Sequence, residues 1–191
     1  MHKGRLEAFS DGVIAIIITI MVLELEIPHE SDLAALVPLL PKFLSYALSF
    51  VYLGIYWNNH HHLLQAAKQV NGSILWANLH LLFWLSLIPF VTGWMGKNNF
   101  ATIPLVFYGT ALWMAGLAYY ILVRVLITHH GKDSVIAKAI GRDEKGIRSL
   151  YIYTAAIALA FVASWIAAAL YVVVAVMWLV PDRRIENNLT K

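Results

Sequence analysis

The chain has 191 residues, 60% of them hydrophobic, with a mean hydropathy of +0.69. Only 13% are charged and the net charge is +3, whereas about a quarter of a soluble domain is charged. Composition therefore excludes a soluble enzyme, and so small a charge gives no nucleic-acid footprint. The absence of cysteine excludes disulfides and thiolate chemistry. What remains is an all-α integral membrane protein of one domain, residues 1–191. Glu7 and Asp11 interrupt its start and no small-residue cleavage site follows, so no signal peptide is expected.

A membrane-spanning helix needs about 20 mostly apolar residues. Span 1 is expected over 6–27, ended by Pro28. Span 2 covers 39–57, with Pro38 and Pro41 suiting its first turn. Span 3 covers 74–95 with Pro89 inside it, and span 4 covers 102–127. The stretch from Gly146 to Val180 has 35 residues. One helix of that length would measure roughly 50 Å, too long for a hydrocarbon core of about 30 Å. Two spans, 147–163 and 166–181, are expected instead.

The positive-inside rule favours this count. With the N-terminus inside, six spans put Lys3, Arg5, Lys68, Arg124, Lys132, Lys138, Arg142, Lys145, Arg148, Arg183, Arg184 and Lys191 in the cytoplasm. Only Lys42 and Lys97 fall outside, a split of 12 to 2. Five spans would make it 9 to 5. Both termini are therefore expected on the cytoplasmic side.

Span 1 carries the most informative pattern. Arg5, Glu7, Ser10 and Asp11 lead directly into a β-branched apolar run. An aspartate near the bilayer centre costs roughly 2.5 to 3.5 kcal/mol, and such groups usually mark a function. On a helical wheel Ile16, Ile20, Leu23 and Ile27 share one narrow stripe, with Thr19 at its border and Phe9 on the same side. Asp11 points roughly 140° away from Ile16. The stripe suits either packing or a pore. Trp57 and His60 near the end of span 2, and Asn78 and His80 near the start of span 3, match the depth of Ser10 and Asp11. They read as a polar clamp, structural or proton-relaying.

Other motifs carry less. His60, His61 and His62 splay by about 100° per residue and do not converge on one ion. Gly141 to Gly146 mimics the glycine spacing of a phosphate loop, but Ile147 stands where lysine is required. Glu24, Glu26 and Glu30 are either an anionic mouth or ordinary interfacial acids. No metal site or cofactor is expected.

Arg5-x-x-x-Phe9-Ser10-Asp11 at the head of span 1 resembles the signature of the transmembrane protein 175 family of potassium channels, found in bacteria and animal lysosomes. Trp57-x-x-His60, Asn78 and Ile88-Pro89-Phe90 strengthen the resemblance, which covers the whole chain. It implies a pore lined by the first helix of each repeat, without a threonine-valine-glycine-tyrosine-glycine filter. A single-repeat chain would then form a homotetramer. The family's isoleucine constriction maps to Ile16, the next narrow positions to Ile20 and Leu23, and its threonine to Thr19. Arg5, Phe9, Ser10 and Asp11 would hold the fold and the assembly together.

The resulting expectation is a passive potassium-selective channel in the bacterial inner membrane, with potassium ions as the permeant and a hydrophobic gate at Ile16. The rival expectation is a proton-coupled secondary transporter with Asp11 and His60 as its relay.

Overall fold

The computed structural model describes residues 3–131, 133–134, 136–137 and 143–179. Lys132, Lys138, Gly141, Arg142, Arg183, Arg184 and Lys191, and the last two residues of the sixth expected span, lie outside the described residues. Every regular element among the described residues is helical.

Helix α1 spans Lys3–Val22, shorter than the expected span. Beyond it Leu23, Glu24 and Leu25 donate three residues back, to Ile20, Met21 and Val22, so the helix tightens and stops. Pro28 disfavours helical backbone at Ile27, and Glu24 and Glu26 are drawn instead to lysines on other helices. Leu23 therefore sits in the turn after α1. Asp32 caps a 3-10 helix over Leu33–Leu39, its carboxylate accepting from the Ala35 N–H at 3.0 Å.

Helix α2, Leu40–Ala66, opens with Pro41 in its first turn. It continues nine residues past the expected end of span 2. Polar side chains end a hydrophobic run, but a helix satisfies its own backbone and needs no lipid around it. At 1.5 Å per residue its 27 residues measure roughly 40 Å.

Helices α3, Gly72–Ser86, and α4, Ile88–Lys97, form the expected third span, broken at Leu87. Pro89 has no N–H to donate to Leu85, and its ring crowds that carbonyl. Asn99 and Phe100, both at positive φ, turn the chain into α5, Thr102–His130. Gly131 at φ 88° ends α5. Asp143 caps α6, Glu144–Ala160, and a turn at 161–163 leads to α7, Ser164–Leu179. Helix α6 measures about 25 Å, and the described residues of α7 cover a similar length.

Helix α5 packs on α3, α4 and α6, α6 on α7, and α2 on α4 and α7. Helix α1 packs on α2, α3 and α4. Hydroxyls cross-link the interior: Ser49 lies 2.7 Å from Thr92 and 3.0 Å from Tyr108. The Tyr52 hydroxyl donates to the Tyr171 carbonyl. Such bonds serve where apolar burial cannot discriminate helix from lipid. Gly96 lets α4 approach α2 closely, because a Cβ there would lie 2.9 Å from the Lys42 Cα.

Candidate functional site

Helix α1 has two faces. Ile14, Ile17 and Met21 are 0%, 4% and 1% exposed and pack into the subunit. Ile16, Ile20 and Leu23 are 58%, 44% and 79% exposed. Thr19 is exposed on the same side. Ile16 and Ile17 are adjacent and chemically identical, so packing alone assigns one inward and one outward.

Thr19 has one feature the wheel does not show. Its Oγ1 donates to the Ala15 and Ile16 carbonyls, both at 3.0 Å. Its single proton is committed to the helix, which leaves lone pairs on an exposed oxygen. That is the polarity a cation requires.

Behind this face runs a buried polar chain. The Ser10 hydroxyl donates to the Leu6 carbonyl at 2.8 Å. It must therefore accept from Asn78 Nδ2, 2.9 Å away. The amide oxygen of Asn78 then faces His60 Nε2 at 2.6 Å, so His60 donates. Each bond fixes the direction of the next. Ser10, Asn78 and His60 are fully buried, so this chain ties α1, α3 and α2 together where water is excluded.

Asp11 stands apart from that chain. Its Oδ1 accepts from Trp57 Nε1 at 3.0 Å, and no hydrogen bond joins it to His60 among the described residues. The structure thus divides the expected clamp into a buried chain and a half-exposed pair. His80 belongs to neither, since its Nε2 accepts from Trp84 within α3 at 3.0 Å. Arg5 and Phe9 are exposed. Lys3, not singled out from the sequence, donates to the Gln65 carbonyl at 3.0 Å and ties the start of α1 to the end of α2.

His60 is buried while His61 is exposed and stacks on Trp57, as their splay requires. Among the described residues no three His, Asp or Glu side chains are placed to hold a metal ion.

At the other end of α1, Glu24 pairs with Lys97 at 3.4 Å and Glu26 with Lys42 at 2.6 Å. Two of the three acids gathered there are thus neutralised locally. The hydrogen bond from Lys42 holds the Glu26 carboxyl below its ordinary value of 4.5. A lowered pKa contributes stability above the ordinary value, and this is lost as pH falls through the lowered one. The Glu26–Lys42 tie should therefore survive mild acid. Lys42→Met should return Glu26 to the ordinary carboxylate range, as an NMR titration would read.

The comparisons with known proteins follow the same residues. A family model described as the endosomal/lysosomal potassium channel TMEM175 matches residues 5–89, which hold α1, α2, α3 and the Pro89 break. A protein of Chryseobacterium sp. (strain P1-3) named as a potassium channel is 56% identical over 189 residues, covering 99% of this chain and 98% of that one. The chain belongs to the TMEM175 family. A potassium channel of Chamaesiphon minutus is 29% identical over 92% of each chain. The crystal structure of a lysosomal potassium-selective channel TMEM175 homolog from that organism superimposes with a TM-score of 0.80 at 26% identity. It covers 93% of this chain and 96% of that one. The human endosomal/lysosomal proton channel TMEM175 is 36% identical over 96 residues, 44% of this chain and 19% of its own length. These TMEM175 relatives are channels, not enzymes.

Proposed function

We propose that this TMEM175 family member is a passive potassium-selective channel of the bacterial inner membrane. Four copies surround an axis lined by α1, with both termini cytoplasmic. The observation that carries the reading is the exposed face of α1. Ile16, Thr19 and Ile20 are exposed on the isolated chain, and Thr19 presents the lone pairs of a hydroxyl whose proton is turned into the helix. The names of the TMEM175 relatives support potassium as the permeant. A ring of four Ile16 side chains is the dry gate, with Ile20 and Leu23 beyond it and Thr19 oxygens replacing lost water. Ser10, Asp11, Trp57, His60 and Asn78 support that helix instead of meeting the ion, whereas His80 bonds only within α3.

The proton-coupled alternative needs Asp11 and His60 to exchange a proton, and each is bonded to a different partner. Purified protein in liposomes should release potassium down its gradient with no proton gradient applied. Its mass in nanodiscs should be that of four chains. Flux that requires a proton gradient would establish the transporter, and a monomer that conducts would refute the axial pore.

A further inference from the structure

The α2–α3 loop, residues 67–71, is docked on the end of α5 by two histidines through their lone pairs. His130 Nδ1 lies 2.9 Å from the Leu126 carbonyl and must donate to it. Its Nε2 then accepts, from the backbone N–H of Lys68 at 3.1 Å and of Gln69 at 3.3 Å. Asn71 caps α3 with its amide oxygen, which accepts from the Ile74 N–H at 3.0 Å. Its Nδ2 therefore faces His129, and His129 Nδ1 accepts at 3.1 Å. Three donors of the loop thus end on two neutral rings.

An imidazolium carries N–H on both nitrogens and accepts nothing. Protonation of either ring turns N–H against N–H. Among the described residues no carboxylate lies within 4.0 Å of either ring. The charged neighbours in sequence are Lys68 on the loop and Lys132 and Asp133 beyond α5; Lys68 and Asp133 are exposed, and Lys132 lies outside the described residues. Lys3 and Glu7 of α1 pair with each other near Gln65 at the end of α2. The two rings lie 5.1 Å apart edge to face, so each opposes charge on the other. Histidine changes charge between about pH 5 and pH 8.

We propose that His129 and His130 are a proton-operated latch that docks the α2–α3 loop when neutral and releases it when protonated, so that acid on that side opens the channel. The link to conductance rests on the channel reading above. The loop joins the two helices that grip α1, through Trp57 on α2 and through Asn78 on α3, which His60 of α2 holds in place. A docked loop resists displacement of α1, and release lowers that resistance.

Hydrogen exchange of residues 67–71, corrected for intrinsic rates, tests the latch in the full-length protein in nanodiscs. Between about pH 8 and about pH 5.5, protection should fall about tenfold, the scale of one lost hydrogen bond. His129→Asn combined with His130→Gln keeps oxygen acceptors in place of the two ring nitrogens, so its protection should stay level. Potassium flux from liposomes should rise about fivefold on acidifying that face, a usual size for coupled sites, and stay level in the double variant. Protection that is flat in the unmodified protein, or that still falls in the double variant, overturns the latch. A loop that releases while flux is unchanged overturns its coupling to the pore. Absence of flux at every pH would instead count against the channel reading and leave the exchange result standing.

Discussion

Ile16→Asn should raise potassium current about tenfold, which corresponds to removing about 1.4 kcal/mol from the conduction barrier. An apolar throat makes an ion shed water with nothing to replace it. Four amides would supply that replacement and keep the throat wet. Ile16 is exposed within the subunit, so the substitution leaves the packing of α1 on α2, α3 and α4 unchanged. Discrimination between potassium and sodium should weaken, because a wet throat no longer forces dehydration. Thr19→Val makes the contrast. It keeps the size and removes the oxygen, so selectivity should change more than current. Planar bilayers read both effects as current amplitude and reversal potential. Unchanged values for Ile16→Asn, beside an open pore from a substitution on another helix, would place the gate elsewhere.

Asn78→Leu should destabilise the protein by about 2 to 6 kcal/mol, because it strands two buried groups at once and each costs about 1 to 3 kcal/mol. Ser10 loses its donor and His60 loses its acceptor. Asp11→Ala breaks a single hydrogen bond to Trp57, which is 46% exposed. Water substitutes for it, so the cost should be nearer 1 kcal/mol. Replacing the whole chain, Ser10→Ala with Asn78→Leu and His60→Phe, should recover much of the loss, since nothing polar is then left stranded. Equal melting shifts for Asn78→Leu and Asp11→Ala would refute this ranking. A changed ion preference in Asp11→Ala with normal assembly would bring the relay back.

The outward stripe of α1 was legible because a helix repeats every 3.6 residues and Ile16 and Ile20 obey that period. Matched depth also brought Ser10, Asn78 and His60 together. Pairing within that depth was not legible. Asn78 and His80 are two residues apart and point about 160° from each other, and only the packing of α3 decides which one meets α1. Helix ends failed for a different reason. Residues 58–66 are too polar for lipid, yet α2 runs through them, because hydropathy marks where the hydrocarbon stops and says nothing of where hydrogen bonding stops. Pro89 was visible, and the interruption at Leu87, which keeps right-handed helical backbone, follows from its missing N–H. His129 and His130 gave no signal, since their partners lie some 60 residues away.

The unequal helix lengths described above have a further consequence. Helices α2 and α5 exceed a hydrocarbon core of about 30 Å, whereas α6, bounded by its Asp143 cap and the turn at 161–163, falls short of it. That turn carries Phe161 and Val162, with Trp165 one turn further, all exposed. Such a turn sits comfortably in the interfacial layer and has no need to reach bulk water. A span as short as α6 is met by thinning of the bilayer around it, at fractions of a kcal/mol per Å of hydrophobic mismatch. A thinner membrane relieves that deformation, so the lipid's own thickness bears on how the subunits stand in it.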